Sequence, residues 1–214
     1  MRAVDLHVRL PYPQSETESS AMLTQALKLG LTGLGVESQE PIPAQLVPKT
    51  LGLFSRTTLS PRSAARLRQR VEGITNRNDL VVVHARTKPI ALAAAEIPDV
   101  GMVLFHDVED FAGVDSQMAR ALSTQKKPVE ICLHGLLMMK GPGRSRLMRA
   151  MGYAMEYFLR AKTTLILTTG AQTIWQLRAP RDLAALAHLA NIPESQAIQA
   201  AIESPLKLVT GRIP

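Results

Sequence analysis

The sequence predicts an α/β fold, with a parallel sheet closed into a TIM-like (β/α) barrel of about seven strands. Apolar strand-like runs recur at a spacing of roughly 30 residues, and segments of helical period lie between them. No Pro/Gly-rich linker, repeat or composition shift divides the 214 residues, so one domain over residues 1–214 is expected. Seven or eight similar strands in a domain this small fill a ring, which favours a barrel over a doubly wound open sheet.

The elements follow in order. The first run covers residues 3–8. Ser19 and Ser20 then suit the cap of a helix whose Met22, Leu23, Ala26 and Leu27 share a face, with Gly30 as its stop. Runs at 32–37 and 51–59 flank PIPAQLVP at 41–48, a Pro-rich connection in place of a regular helix. Ser60-Pro61 opens a helix carrying Ala64, Ala65, Leu67 and Val71 and ending at Gly73. Runs at 80–85 and 101–106 come next, then a helix over 116–123 capped by Asp115, and a run at 129–134. The longest helix spans 144–161, where Leu147, Met148, Met151, Ala154, Met155 and Phe158 recur at i, i+3, i+4 and i+7. A run at 164–168 follows. Pro180 opens a helix over 181–190, Pro193 opens the last one, and a short strand-like run falls at 207–210.

Composition excludes several classes. With 46% hydrophobic and 20% charged residues, intrinsic disorder is ruled out. No stretch approaches the ~18 apolar residues of a membrane span. The first dozen residues lack the apolar core of a secretory signal. Cys132 is the single cysteine, which excludes an internal disulfide and a Cys-rich zinc site. A reducing, cytoplasmic location is the simplest expectation.

Charge is unevenly placed. Residues 1–125 hold 13 basic and 13 acidic side chains, so residues 126–214, with 12 basic and five acidic, carry the whole excess of +7. A second cluster lies at 56–88, where eight Lys/Arg accompany only Glu72 and Asp79. Such excess attracts polyanions through counterion release, although a solvated basic face with no partner has the same pattern. Only 4% of residues are aromatic, which argues for contact with nucleic-acid backbone and shape more than with stacked bases. Arg62, Arg66 and Arg70 are four apart and would line one side of a helix. Lys140, Arg144 and Arg149 mark the start of the longest helix, and Arg178 and Arg181 flank Pro180 with Asp182 in the first turn. Arginines at a helix N-terminus oppose its dipole, so an anion there would explain them. An Arg178–Asp182 pair fixing the loop is the alternative. Arg86 and Lys88 add two cations beyond another strand.

In a barrel, polar residues at strand ends meet on one rim, where active sites are built. Here those positions are Asp5 and His7, Glu37, His84, His106 and Asp107, and Glu130 and His134. Imidazoles and carboxylates converging there would suit Zn²⁺, Mn²⁺ or Mg²⁺. Spacing gives little support, since only Asp5-Leu6-His7 forms a close, strand-compatible pair. Satisfied core or rim histidines, with Asp107, Glu109 and Asp110 as loop anchors or a partner's contact, are the plainer account. Gly30, Gly33 and Gly35 precede a strand and do not form a dinucleotide turn. The KGPGR segment at 140–144 lacks the ending of a phosphate-cradling loop, and no G-x-S-x-G elbow occurs. Cys132 sits in an apolar run with nothing to activate it.

Several segments taken together resemble the ribonuclease P protein component 3 family. They are VDLHVR at 4–9, RTTL at 56–59, DLVVV at 79–83, LILTTGA at 165–171 and LRAPRDLAAL at 177–186. Their order spans nearly the whole chain. The resemblance implies a barrel related to the polymerase-and-histidinol-phosphatase metal hydrolases, with the metal site decayed. Those hydrolases open with H-x-H, whereas this chain has Asp5-Leu6-His7. It also implies a protein subunit that helps a catalytic RNA, using Mg²⁺ held by that RNA, to cut the 5′ leader from precursor tRNA.

On this reading the chain binds no cofactor of its own and catalyses nothing alone, although the holoenzyme is an endonuclease, a hydrolase. Its partners would be the ribonuclease P RNA, protein component 2 and other protein subunits, with precursor tRNA met indirectly and no membrane. Arg178, Arg181 and Asp182 match the family motif. Arg62, Arg86, Lys88, Lys140 and Arg144 are RNA-binding candidates from charge placement. The acidic stretch 107–115 is a candidate protein contact. Two alternatives stay open: a metal-dependent phosphoesterase using Asp5, His7, His84, His106 and Glu130, and a general RNA-binding module.

Overall fold

The computed structural model describes residues 2–74 and 80–210; Asp79, counted above in a family-like segment, lies outside them. Strand order equals chain order. The strands β1 (Val4–Arg9), β2 (Gly33–Glu37), β3 (Gly52–Leu59), β4 (Leu80–His84), β5 (Met102–Phe105), β6 (Val129–Cys132) and β7 (Leu165–Thr168) pair successively, all parallel. A bridge between Val8 and Ala171, with Arg9 N donating to Ala171 O at 2.8 Å, draws the end of β7 back to β1. The ring is therefore nearly closed, as expected.

Alternation along the strands sorts residues into two layers. Leu6, Val82, Met102, Leu104, Cys132 and Ile166 form the cluster inside the ring. Val81, Val83, Val103, Phe105, Ile131 and Leu167 point outward and pack under the helices. The outer layer comprises α1 (Glu16–Lys28), α2 (Leu67–Glu72), α3 (Lys88–Glu96), α4 (Val108–Ala112), α5 (Ser116–Thr124), α6 (His134–Met138), α7 (Gly141–Arg160) and α8 (Pro180–His188). The 20-residue α7 packs on α4, α5 and α6 through Leu147, Met151, Met155 and Phe158, each fully buried. This is the face its periodicity predicted.

Differences from the sequence expectations have local causes. Ser15, not Ser19 or Ser20, caps α1: its Oγ accepts from Glu18 N at 3.3 Å, with Glu16 and Glu18 in the first turn. Ser19 is buried within the helix and donates to Ser15 O at 2.8 Å. Beyond Pro61 the chain stays irregular until a 3₁₀ turn at Ala64–Arg66, so Arg62 precedes the helix and no Arg62–Arg66–Arg70 stripe forms. Helix α8 starts on Pro180, with the preceding Ala179 extended, as proline geometry favours. After Pro193, α9 (Glu194–Ile198) passes through a π-helical turn, Gln199–Glu203, into α10 (Ser204–Thr210). The expected strand at 207–210 is thus helical. Pro205 and Val209 are buried at helical i+4 spacing, and Val209 joins the cluster inside the barrel. Helices α3, α4 and α6 were not expected.

Gly170 occupies a left-handed conformation (φ +62) against β6, where a Cβ would lie 2.5 Å from Cys132 Sγ. Gly141 is also left-handed (φ +57) but has nothing within 4 Å of such a Cβ. Gly141→Ala should therefore cost only the backbone penalty of about 1 kcal/mol. Gly170→Ala should cost roughly 2–4 kcal/mol, because the clash adds overpacking. Urea denaturation of the two variants measures the difference.

Candidate functional site

The inward positions of β1, β3, β6 and β7 bring a buried polar network into the ring. Glu130 on β6 is fully buried; its Oε1 lies 2.8 Å from His7 Nδ1 on β1 and accepts from Thr168 Oγ1 on β7 at 2.7 Å. Arg56 on β3, with a fully buried side chain, places Nη1 at 2.9 Å from Glu130 Oε2, close enough for charge pairing though not aligned as a hydrogen bond. The same nitrogen donates to Leu6 O at 2.8 Å, and Nε donates to Thr58 Oγ1 at 3.0 Å. Burial works to raise the Glu130 pKa, but Arg56 and His7 overcome it and hold the carboxyl at about 2. Burial and then Arg56 push the His7 imidazole below its ordinary value.

Asp5 closes the seam. Its carboxylate accepts from the backbone N and Oγ1 of Thr169, just past β7, and from His7 N. Burial outweighs these bonds and raises its pKa to about 6.

A second group lies at the ends of β4 and β5. Asp110 in α4 accepts through Oδ2 from His106 N at 2.9 Å, and that oxygen lies 2.8 Å from His84 Nε2 and 3.0 Å from His106 Nδ1. The two imidazoles meet edge to face at 4.4 Å. The Asp110 bonds raise the His106 pKa and hold Asp110 well below the usual carboxylate range against the opposing effect of burial.

From sequence alone, Asp5, His7, His84, His106 and Glu130 fall into one set. The structure separates Asp5, His7 and Glu130 from His84 and His106. The first set does not suit a divalent cation, because the Arg56 guanidinium already occupies Glu130. The second set, with Asp107 and Asp110, offers donors within 4.8 Å of one another and could hold one, which would supply Lewis acidity there. The two histidines take only Asp110 Oδ2; its Oδ1 is buried without a hydrogen-bond partner.

Neither Arg56 nor Asp110 was picked out as a site residue. A lone arginine in phase with Phe54 and Thr58 along a strand was the available signal for Arg56. Within the acidic stretch 107–115, Asp107 and Asp115 cap α4 and α5, Asp110 is buried, Lys88 pairs with Asp115 at 2.5 Å, and Glu109 is exposed. Cys132 is buried, and burial pushes its thiol up to about 12, so it is inert as expected.

The cations gather elsewhere. Arg62, Arg86, Lys88, Arg178 and Arg181 lie between the end of a strand and the start or first turn of the following helix, while Lys140 and Arg144 lie past the short α6, at the start of α7 on the same β6–α7 connection. In a parallel ring every such segment belongs to the same, C-terminal rim. Arg62, Arg86, Lys140 and Arg181 are exposed, and Arg144 is half-buried, with its Nε lacking a hydrogen-bond partner. The Arg178–Asp182 pair does not form: Arg178 Nη1 donates to Trp175 O at 2.6 Å and Leu177 O at 2.7 Å.

Residues 2–212 match the family described as RNase P subunit p30. The chain belongs to that family. It is 24% identical over 203 residues to ribonuclease P protein component 3 of Methanococcoides burtonii, covering 92% of this chain and 83% of the relative. Its fold is similar to a chain in a cryo-EM structure of archaeal ribonuclease P with mature tRNA, at TM-score 0.78 and 18% identity, over 98% of this chain and 90% of that one. It is also similar to histidinol phosphate phosphatase from Lactococcus lactis, solved with zinc, L-histidinol and phosphate. That likeness has TM-score 0.52 and 13% identity and covers 94% of each chain, in agreement with the barrel fold.

Glu130→Gln should destabilise by roughly 3–5 kcal/mol, because it leaves the Arg56 charge buried and unpaired. Replacing Arg56 by Met as well should recover part of that loss in a double-mutant cycle. Asp5 predicts the opposite pH trend to Glu130. Its folded pKa of about 6 exceeds its ordinary 3.8, so the stability it contributes is complete below 3.8 and lost as pH rises through 6. Asp5→Asn should remove that decline, a difference on the order of 3 kcal/mol, in urea midpoints compared at acidic and neutral pH.

Proposed function

We propose that this chain is a non-catalytic protein subunit of ribonuclease P, the ribonucleoprotein that removes the 5′ leader from precursor tRNA. It neutralises phosphates of the RNA subunit with its basic rim, pairs with protein component 2, and leaves cleavage to the RNA and the Mg²⁺ that the RNA holds. Family membership supports the assembly. The observation that carries the role is the collection of seven separately encoded cations on one rim, above a ring whose central carboxylate is committed to Arg56 and His7. No described helix is long and apolar enough to cross a membrane, and a cytoplasmic location suits a partner of precursor tRNA.

The chemistry asked of the rim is electrostatic. Each Lys or Arg set on a phosphate releases condensed counterions, so binding weakens as salt rises and the RNA's own close approaches become less costly. Arg181 and Lys140, both exposed, are the clearest phosphate ligands; Lys88 is largely spent on Asp115. Arg178 shares its guanidinium with two carbonyls of its own loop, so it positions that loop as well.

Reconstitution with the RNA and component 2, with and without this chain at limiting Mg²⁺, tests the proposal. The chain should lower the Mg²⁺ needed for precursor cleavage. The double variant Lys140→Ala, Arg181→Ala should weaken RNA association uniformly across sequences and flatten the slope of log K against log salt by about two. Cleavage of a simple phosphodiester by the chain without RNA would favour the phosphoesterase reading instead.

A further inference from the structure

The loop after β7 is fastened on every side of one residue. Ile174 packs inward on the cluster beneath α1. Gln172 N donates to Gln176 Oε1 at 2.7 Å, Gln176 Nε2 reaches Met138 Sδ at 3.4 Å, and Arg178 holds the carbonyls of Trp175 and Leu177. Between these anchors Trp175, the single tryptophan of the chain, is 83% exposed. Its neighbours across the Gln176–Met138 contact, Met138, Met139 and Lys140, are exposed too. A side chain of this size left in water by a loop so well tied down is not simply lacking a core to enter; Ile174 beside it has one.

Charge identifies the occupant. Around this loop the basic side chains are Lys140, Arg144, Arg178 and Arg181, against the single exposed acidic residue Asp182 in the first turn of α8. A protein surface seated on the indole would have to be almost wholly acidic to suit that field. An RNA strand supplies what both features ask for, a flat base beside regularly spaced anions.

We infer that Trp175 stacks on an unpaired base of the ribonuclease P RNA while Lys140 and Arg178 neutralise the adjoining phosphates. Arg178 is suited to both tasks, since a guanidinium carries five N–H donors and the loop carbonyls take two. The inference rests on the proposed role of the chain as a ribonuclease P subunit. It adds a contact that the low aromatic content argued against, because one well-placed ring is enough.

The single indole makes the test direct. Titrating ribonuclease P RNA into the chain at low salt should quench tryptophan fluorescence to saturation, over the range in which binding is seen by an independent method. Trp175→Ala should lower RNA affinity about tenfold with the salt slope unchanged, and Trp175→Phe should recover most of it. Because the ring is exposed, neither substitution disturbs the core. Fluorescence that stays constant while RNA binds, or unchanged affinity in Trp175→Ala, overturns the inference. Quenching by component 2 without RNA overturns it as well, by assigning the indole to a protein interface. These outcomes differ from failure of the subunit reading itself, in which the unsubstituted chain would neither bind the RNA nor stimulate cleavage.

Discussion

A carboxylate with no access to water sets the terms for the rest of this molecule. Glu130 on β6 is held at once from β1 by His7, from β3 by Arg56 and from β7 by Thr168. Burying a lone carboxylate is prohibitive, whereas burying it beside a guanidinium and two further partners is tolerable and fixes their relative positions. Three strands that the ladder does not join directly to β6, or joins on one side only, are thereby set across the ring. This matters most where the ladder is weakest. Between β7 and β1 the described backbone pairing is a single bridge at Val8 and Ala171, and the grip of Asp5 on Thr169 supplements it. Polar chemistry inside the barrel therefore replaces hydrogen bonds that a fully laddered barrel would have at its seam.

That use of the interior constrains where function can lie. Glu130 is the carboxylate that a cation inside the ring would need, yet here an arginine from β3 already supplies the positive charge. A cation carried by a side chain cannot exchange, bind substrate and leave. The rim, by contrast, is built from segments free of the ladder, and there the chain places cations without local acidic partners. The exception is instructive. Lys88 faces Asp115, and that pair ties the start of α3 to the cap of α5, so it belongs to the scaffold even though charge placement alone grouped it with the rim.

The strands were legible as short, nearly continuous apolar runs, because β4, β5, β6 and β7 are buried on both faces, toward the ring interior and toward the helices. The segment 207–210 misled because four residues are too short a window to show a period, while the i+4 pairing of Pro205 with Val209 reads only over a longer one. The two polar groups were half legible. His7 and Glu130 stand 123 residues apart and His84 and Asp110 stand 26 apart, so their residue types were visible but their partners were not. Asp110 was hidden in an acidic stretch that resembles a solvated loop. Only the turn of α4 carries its side chain back beneath His106.

The histidine–aspartate group and the basic rim also depend on each other. An ionised Asp110 left unpaired at the mouth would repel a phosphate approaching Arg86, which faces His106. Bonding to both imidazoles raises the pKa of His106 and spreads the carboxylate's charge into groups that can carry a proton. The mouth then presents the half-exposed His106 with Asp107 beside it, while the Asp110 carboxylate stays buried. Glu130 and Asp115 follow the same pattern, each matched to a cation or donor set within the protein. A basic surface arises here as much from internal pairing of the acids as from placement of the arginines. It follows that loss of one of these internal partners would alter nucleic-acid binding from a position that never touches the ligand.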